Sequence, residues 1–129
     1  MNRARSILGI VAGVLMIASA AAHSLLGWPQ LRARLAQSRV PDDLALGLGA
    51  GWHFGGAAMV AFACIVLWVF FRRLRGAPAP LVPPAIIAAL YLAFGAGALA
   101  VSGDPFFMVF IVPGLMLAAA SFPRRDSAS

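Results

Sequence analysis

The chain has 129 residues, of which 62% are hydrophobic and 11% charged, with a mean hydropathy of +0.91; a soluble domain carries about 25% charged residues. So few charges cannot cover a water-soluble globule of this size, which excludes an ordinary cytosolic enzyme, a disordered chain and a nucleic-acid reader. The net charge of +6 rests on ten basic residues, all arginine, set between long apolar runs, where they read as membrane-surface anchors.

Four runs contain no Asp, Glu, Lys or Arg: residues 6–27, 44–71, 81–101 and 106–122. A hydrocarbon core of ~30 Å takes about 20 helical residues. The first and third runs just span it and the fourth is marginal. The second is too long for the core alone, so it tilts or begins in the interface. Helices are the expected form, because backbone polar groups in lipid need internal partners and no run alternates like a barrel strand. The expected fold class is therefore all-α, a four-transmembrane-helix bundle forming a single domain over residues 1–129.

Taken in order, the first run follows Arg3 and Arg5 and ends near Ala20-Ala21-Ala22, which resembles a signal-peptide cleavage site. Cleavage there would make His23 the amino terminus. The apolar run continues to Leu26, so a retained span is the expectation. Pro29 follows it. Between Pro29 and Asp43, Leu31 and Leu35 are four apart among Arg32, Arg34 and Arg39, the pattern of a short amphipathic helix at the interface, with Trp28 at headgroup depth. That segment reads as a solvated interfacial turn, or as a lid or contact for anionic lipid or a partner.

Pro41-Asp42-Asp43 precedes the second run and Arg72, Arg73 and Arg75 close it, both in keeping with the helix dipole. Gly76 to Pro80 is a linker. Pro83 and Pro84 suit the first turn of the third helix. Gly103-Asp104-Pro105 makes a tight turn, with Asp104 as a cap, and Pro113-Gly114 should kink the fourth helix. Arg3, Arg5, Arg72, Arg73, Arg75, Arg124 and Arg125 fall on one side, against Arg32, Arg34 and Arg39 on the other. That excess is expected to place both termini on the cytoplasmic side of the membrane.

Few side chains inside the runs can carry chemistry. His23 and His53 are the two histidines, about 7 to 14 Å below the same end of their helices at ~1.5 Å per residue. At about 100° per residue, Gly9, Gly13, Ala20, His23, Ser24 and Gly27 share one face of the first helix, which should look into the bundle. Gly49, Ala50, Gly56, Ala57 and Cys64 share a face with His53, and Gly47, Gly51 and Gly55 form a stripe beside it. The two imidazoles could meet and hold a haem iron, a quinone carbonyl or a metal ion, could handle protons, or could simply bond to backbone or to Ser19 and Ser24. A protein-only metal site usually needs three or four ligands, and no third histidine or buried carboxylate is available.

Cys64 lies too far along the helix from His53 to share a metal, and reads as a small packing residue. As a lone cysteine it allows no internal disulfide. Tyr91 needs a hydrogen-bond partner in its span. Trp52 and Trp68 read as lipid-facing or interfacial anchors, and Met16, Met59, Met108 and Met116 as core filling. No phosphate loop, catalytic triad or paired carboxylates are present.

Ala22-His23-Ser24-Leu25-Leu26-Gly27, a short basic loop and then Trp52-His53 resemble small uncharacterised bacterial four-span membrane proteins over about the first half of the chain. No motif separates it from DoxX-like four-span proteins. The resemblance implies the four-span fold and transfers no activity. The functional expectation is a non-enzymatic bundle or accessory subunit, associating with itself or with a partner membrane protein. The alternative is a membrane redox protein binding haem or quinone through His23 and His53.

Overall fold

The computed structural model describes residues 3–122, and among them there is no strand. Arg124 and Arg125 lie outside the described residues. Four helical rods make up the fold. The first is α1 (Arg3–Ala22), a π-helical turn (His23–Gly27) and α2 (Trp28–Gln37) in unbroken succession. The others are α3 (Asp42–Leu74), α4 (Val82–Ser102), and a 3-10 turn (Pro105–Phe107) running into α5 (Met108–Ser121).

The rods through α1–α2, α3 and α4 are each long and apolar enough to cross a membrane, while Pro105–Ser121 is a shorter apolar helix. Their outward faces are greasy: Val101 is 91% exposed, and Leu46 and Phe54 are each 77% exposed. Large apolar side chains at such exposure are out of place in water and suit acyl chains.

The basic segment Trp28–Gln37 is helical, but it continues the first helix instead of following a loop. Pro29 does not end the rod: it stands at the start of α2, directly after the π turn, whose shifted bonding accommodates the N–H that a proline lacks. The wide π turn lets the Trp28 N–H bond back to the His23 carbonyl. The connection to α3 shrinks to four residues, with Arg39 in the left-handed region at φ 51°. At about 1.5 Å per residue, the 33 residues of α3 reach well beyond a hydrocarbon core. Asp42 and Asp43 stand in its first turn and Arg72 and Arg73 in its last.

The other punctuation falls as the residues dictate. Pro83 and Pro84 enter at the start of α4 and Gly103, at φ 66°, ends it. Asp104 Oδ1 accepts from the Phe106 N–H at 2.8 Å, capping the turn into α5. Pro113 lies buried within α5.

α1 packs along α3 and α5, and α4 packs along α5. Ala12, Met16, Ala63, Val66, Phe70, Ile87, Ala88, Tyr91, Leu117 and Ala120 form a shared core drawn from α1, α3, α4 and α5. Arg5 donates through Nη2 to the Phe122 carbonyl, tying the start of α1 to the end of α5. Arg73 donates through Nη1 to Ala79 O across the linker, and the Arg72 guanidinium lies 5.4 Å from the centre of the Trp68 ring.

Candidate functional site

The α1–α3 interface explains how the site is placed. Along α1, Ser6, Gly9, Gly13, Met16 and Ala20 are buried, and in the π turn that continues it His23 and Gly27 are partly buried. Along α3 the corresponding series is Gly49, Trp52, Gly56, Met59, Ala63, Val66 and Phe70. Both advance in alternating steps of three and four, the spacing of a supercoiled seam. The seam is antiparallel. A Cβ on Gly9 would meet Phe70, one on Gly13 would meet Leu67 and Val66, one on Gly56 would meet Ser24 and His23, and one on Gly27 would meet Trp52.

At the end of that seam far from Gly9 and Phe70, His23 and Trp52 grip each other twice. His23 Nε2 lies 3.0 Å from Trp52 O, and Trp52 Nε1 donates to His23 O at 3.0 Å. The rings stack with centroids 4.1 Å apart and planes 6° from parallel. A carbonyl can only accept, so the first bond requires the proton on Nε2 and leaves Nδ1 as the lone-pair nitrogen of the neutral ring. The His23 carbonyl therefore takes both the π-turn bond from Trp28 and the bond from the Trp52 indole. Five-residue π segments of this kind recur where a helix is bent to a functional purpose.

Glycines make room for these rings. A Cβ on Gly27 would lie 2.7 Å from Trp52 Cζ2, and one on Gly49 would lie 2.8 Å from Trp28 Cη2. The tryptophans thus fill slots on opposite helices. Gly56 leaves space for Ser24, whose Oγ would be 2.6 Å from an added Cβ.

His53 is placed differently. Its ring is exposed and lies 5.1 Å from Trp28, tilted by 60°. Its neighbours on the expected face, Ala50, Ala57 and Cys64, are exposed as well, while Gly49 and Gly56 are buried. One residue turns a helix by about 100°, so a seam running through Trp52 carries His53 to its flank. Each histidine therefore has a tryptophan as its nearest ring partner, His23 with Trp52 and His53 with Trp28.

Trp52 is not the lipid-facing anchor expected from the sequence, because its indole N–H finds the His23 carbonyl in the π turn of the first rod. Trp68 is exposed, as an anchor should be. Cys64 is exposed and not a packing residue, since it sits outside the three-four series. Met16 and Met59 are core, whereas Met108 is 42% exposed. Tyr91 is buried against Phe110, with ring centroids 5.6 Å apart, and its hydroxyl has no hydrogen-bond partner among the described residues. Among those residues no group of three or more His, Cys, Asp or Glu is gathered to hold a metal ion.

The sequence reading missed the role of Trp52 and the glycine slots. The signal was the step pattern from Gly49 to Phe70, which a face drawn around His53 obscured. No protein-family model matches the chain, no characterised protein matches it and no solved structure matches it.

Proposed function

We propose that this chain is a four-span integral membrane protein of the bacterial inner membrane with both termini cytoplasmic, acting as a non-enzymatic bundle or accessory subunit. In this reading His23 is a helix-locking residue. The supporting observation is the double grip between His23 and Trp52, in which each side chain bonds the other residue's carbonyl and the rings stack. An imidazole so engaged has its Nε2 proton committed, and in lipid such an interhelical bond has no water competing for it.

The shorter fourth helix completes the set of spans by dipping its apolar length into the bilayer, with local thinning or flanking residues absorbing the mismatch. The exposed apolar faces of α3 and α4 meet lipid, a second copy of the chain or a partner subunit. The redox alternative has one observation in its favour. His23 donates its Nε2 proton to a carbonyl, the way metal-bound histidines are commonly oriented, and so would offer Nδ1 to an iron or a metal.

An absorption spectrum of the detergent-purified chain, with a parallel unfolding measurement on His23→Ala, decides between them. A locking residue gives a destabilised variant and no chromophore to lose. A Soret band that vanishes in His23→Ala would overturn the proposal in favour of the redox reading.

A further inference from the structure

A second site lies beyond the histidines, where α2 faces the start of α3. There a cleft of about 430 Å³ is lined by Trp28, Arg32, Asp42 and a set of apolar side chains that includes Leu35 and Leu46. That volume falls in the range of small-ligand sites, ~300–1,000 Å³. Its charge pattern is specific: one guanidinium from α2 and one carboxylate from α3 line the same space, and no salt bridge joins them among the described residues. The other walls are apolar or aromatic.

We propose that this cleft binds the headgroup of a zwitterionic phospholipid carrying a primary ammonium, a phosphatidylethanolamine. A zwitterion presents an anionic phosphate and a cation a few bonds apart, and answers both charged walls at once. Arg32 takes the phosphate through its planar fork of donors. Asp42 takes the ammonium, which brings three N–H donors that a quaternary choline lacks. The Trp28 ring adds a face on which a cation is favoured. A purely anionic headgroup such as that of phosphatidylglycerol would satisfy Arg32 but bring only neutral hydroxyls, and no cation, to Asp42.

The rest of the lipid also has a place. Leu44 and Leu46, on the first turns of α3, are 53% and 77% exposed and continue the apolar wall outward. Acyl chains leaving the headgroup would lie along them. The cleft sits at the interfacial end of its helices, the depth at which tryptophan and arginine meet phospholipid headgroups.

The test uses the full chain, delipidated in detergent and titrated with phosphatidylethanolamine, phosphatidylcholine or phosphatidylglycerol of matched chains, with bound lipid counted by native mass spectrometry. Free phosphoethanolamine is the control for the headgroup alone. The expected result is saturable binding of one phosphatidylethanolamine about tenfold tighter than phosphatidylglycerol, the ratio one charge-assisted contact supports. Asp42→Asn, which keeps size and removes the charge, should lose that preference, and Arg32→Gln should weaken all three phospholipids. Asp42→Glu should retain the preference, which separates loss of charge from loss of fold. Equal binding of phosphatidylglycerol by the unmodified chain, or an unchanged preference in Asp42→Asn, would overturn the proposal. So would free phosphoethanolamine binding as tightly as the whole lipid.

Discussion

Replacing His23 and Trp52 singly and together separates the parts of their grip. Each hydrogen bond runs from a side chain to the other residue's backbone carbonyl. Truncating one ring therefore removes its own bond and the stack, but leaves the opposite bond possible. An interhelical hydrogen bond inside a membrane contributes ~0.6 kcal/mol on average, and a stacked ring pair about 0.5–1.5 kcal/mol. His23→Ala should then cost about 1–2 kcal/mol, the sum of those two contributions. The coupling between His23→Ala and Trp52→Ala reports the stack alone, ~1 kcal/mol, since neither bond needs both side chains. Trp52→Phe keeps a ring to stack but loses the indole N–H and part of the ring that fills the Gly27 slot, so its cost should exceed the ~0.6 kcal/mol of the hydrogen bond alone. Reversible unfolding in mixed micelles, followed by far-UV circular dichroism, gives all four free energies. If the two truncations add to within ~0.3–0.5 kcal/mol, the usual error of additivity, the rings do not act as a stacked pair and the reasoning fails.

The glycines offer a contrast within one protein. Gly27→Ala and Gly49→Ala place a Cβ 2.7 and 2.8 Å from the Trp52 and Trp28 rings, and should destabilise by ~1–3 kcal/mol through overpacking. Gly47→Ala and Gly51→Ala meet nothing within 4 Å, and the same assay should find them neutral or stabilising by up to ~1 kcal/mol. Asp104→Ala removes the acceptor for the Phe106 N–H and should cost about 1 kcal/mol; Asp104→Asn should recover most of it. In a Cys64→Ala background, cysteines introduced at Gln37 or Ser102 should react with an impermeant maleimide in intact cells, and one at Arg75 only after permeabilisation. Labelling of Arg75→Cys in intact cells would reverse the proposed orientation.

Much of this protein is legible without its structure because hydropathy and charge act locally. Runs free of charge give helices, Asp42 and Asp43 open one and Arg72 and Arg73 close it, and Gly103 and Asp104 punctuate the last turn. The small face of the first helix is readable too, since Gly9, Gly13 and Ala20 recur at helical spacing and are buried. Boundaries were less so. Pro29 reads as a stop in the sequence but sits inside a continuous rod, because the π turn before it provides the bonding a proline disturbs.

What the sequence determined by itself is the solvent this chain prefers and the number of its long apolar helices, since both follow from transfer of local side chains and backbone out of water. Which ring His23 meets was decided only by tertiary packing. A shift of one residue rotates a helix face by about 100°, and in the sequence the step pattern from Gly49 to Phe70 that runs through Trp52 competes with the small-residue face around His53. The antiparallel register, set by glycine slots on both helices, put Trp52 there and left His53 beside Trp28.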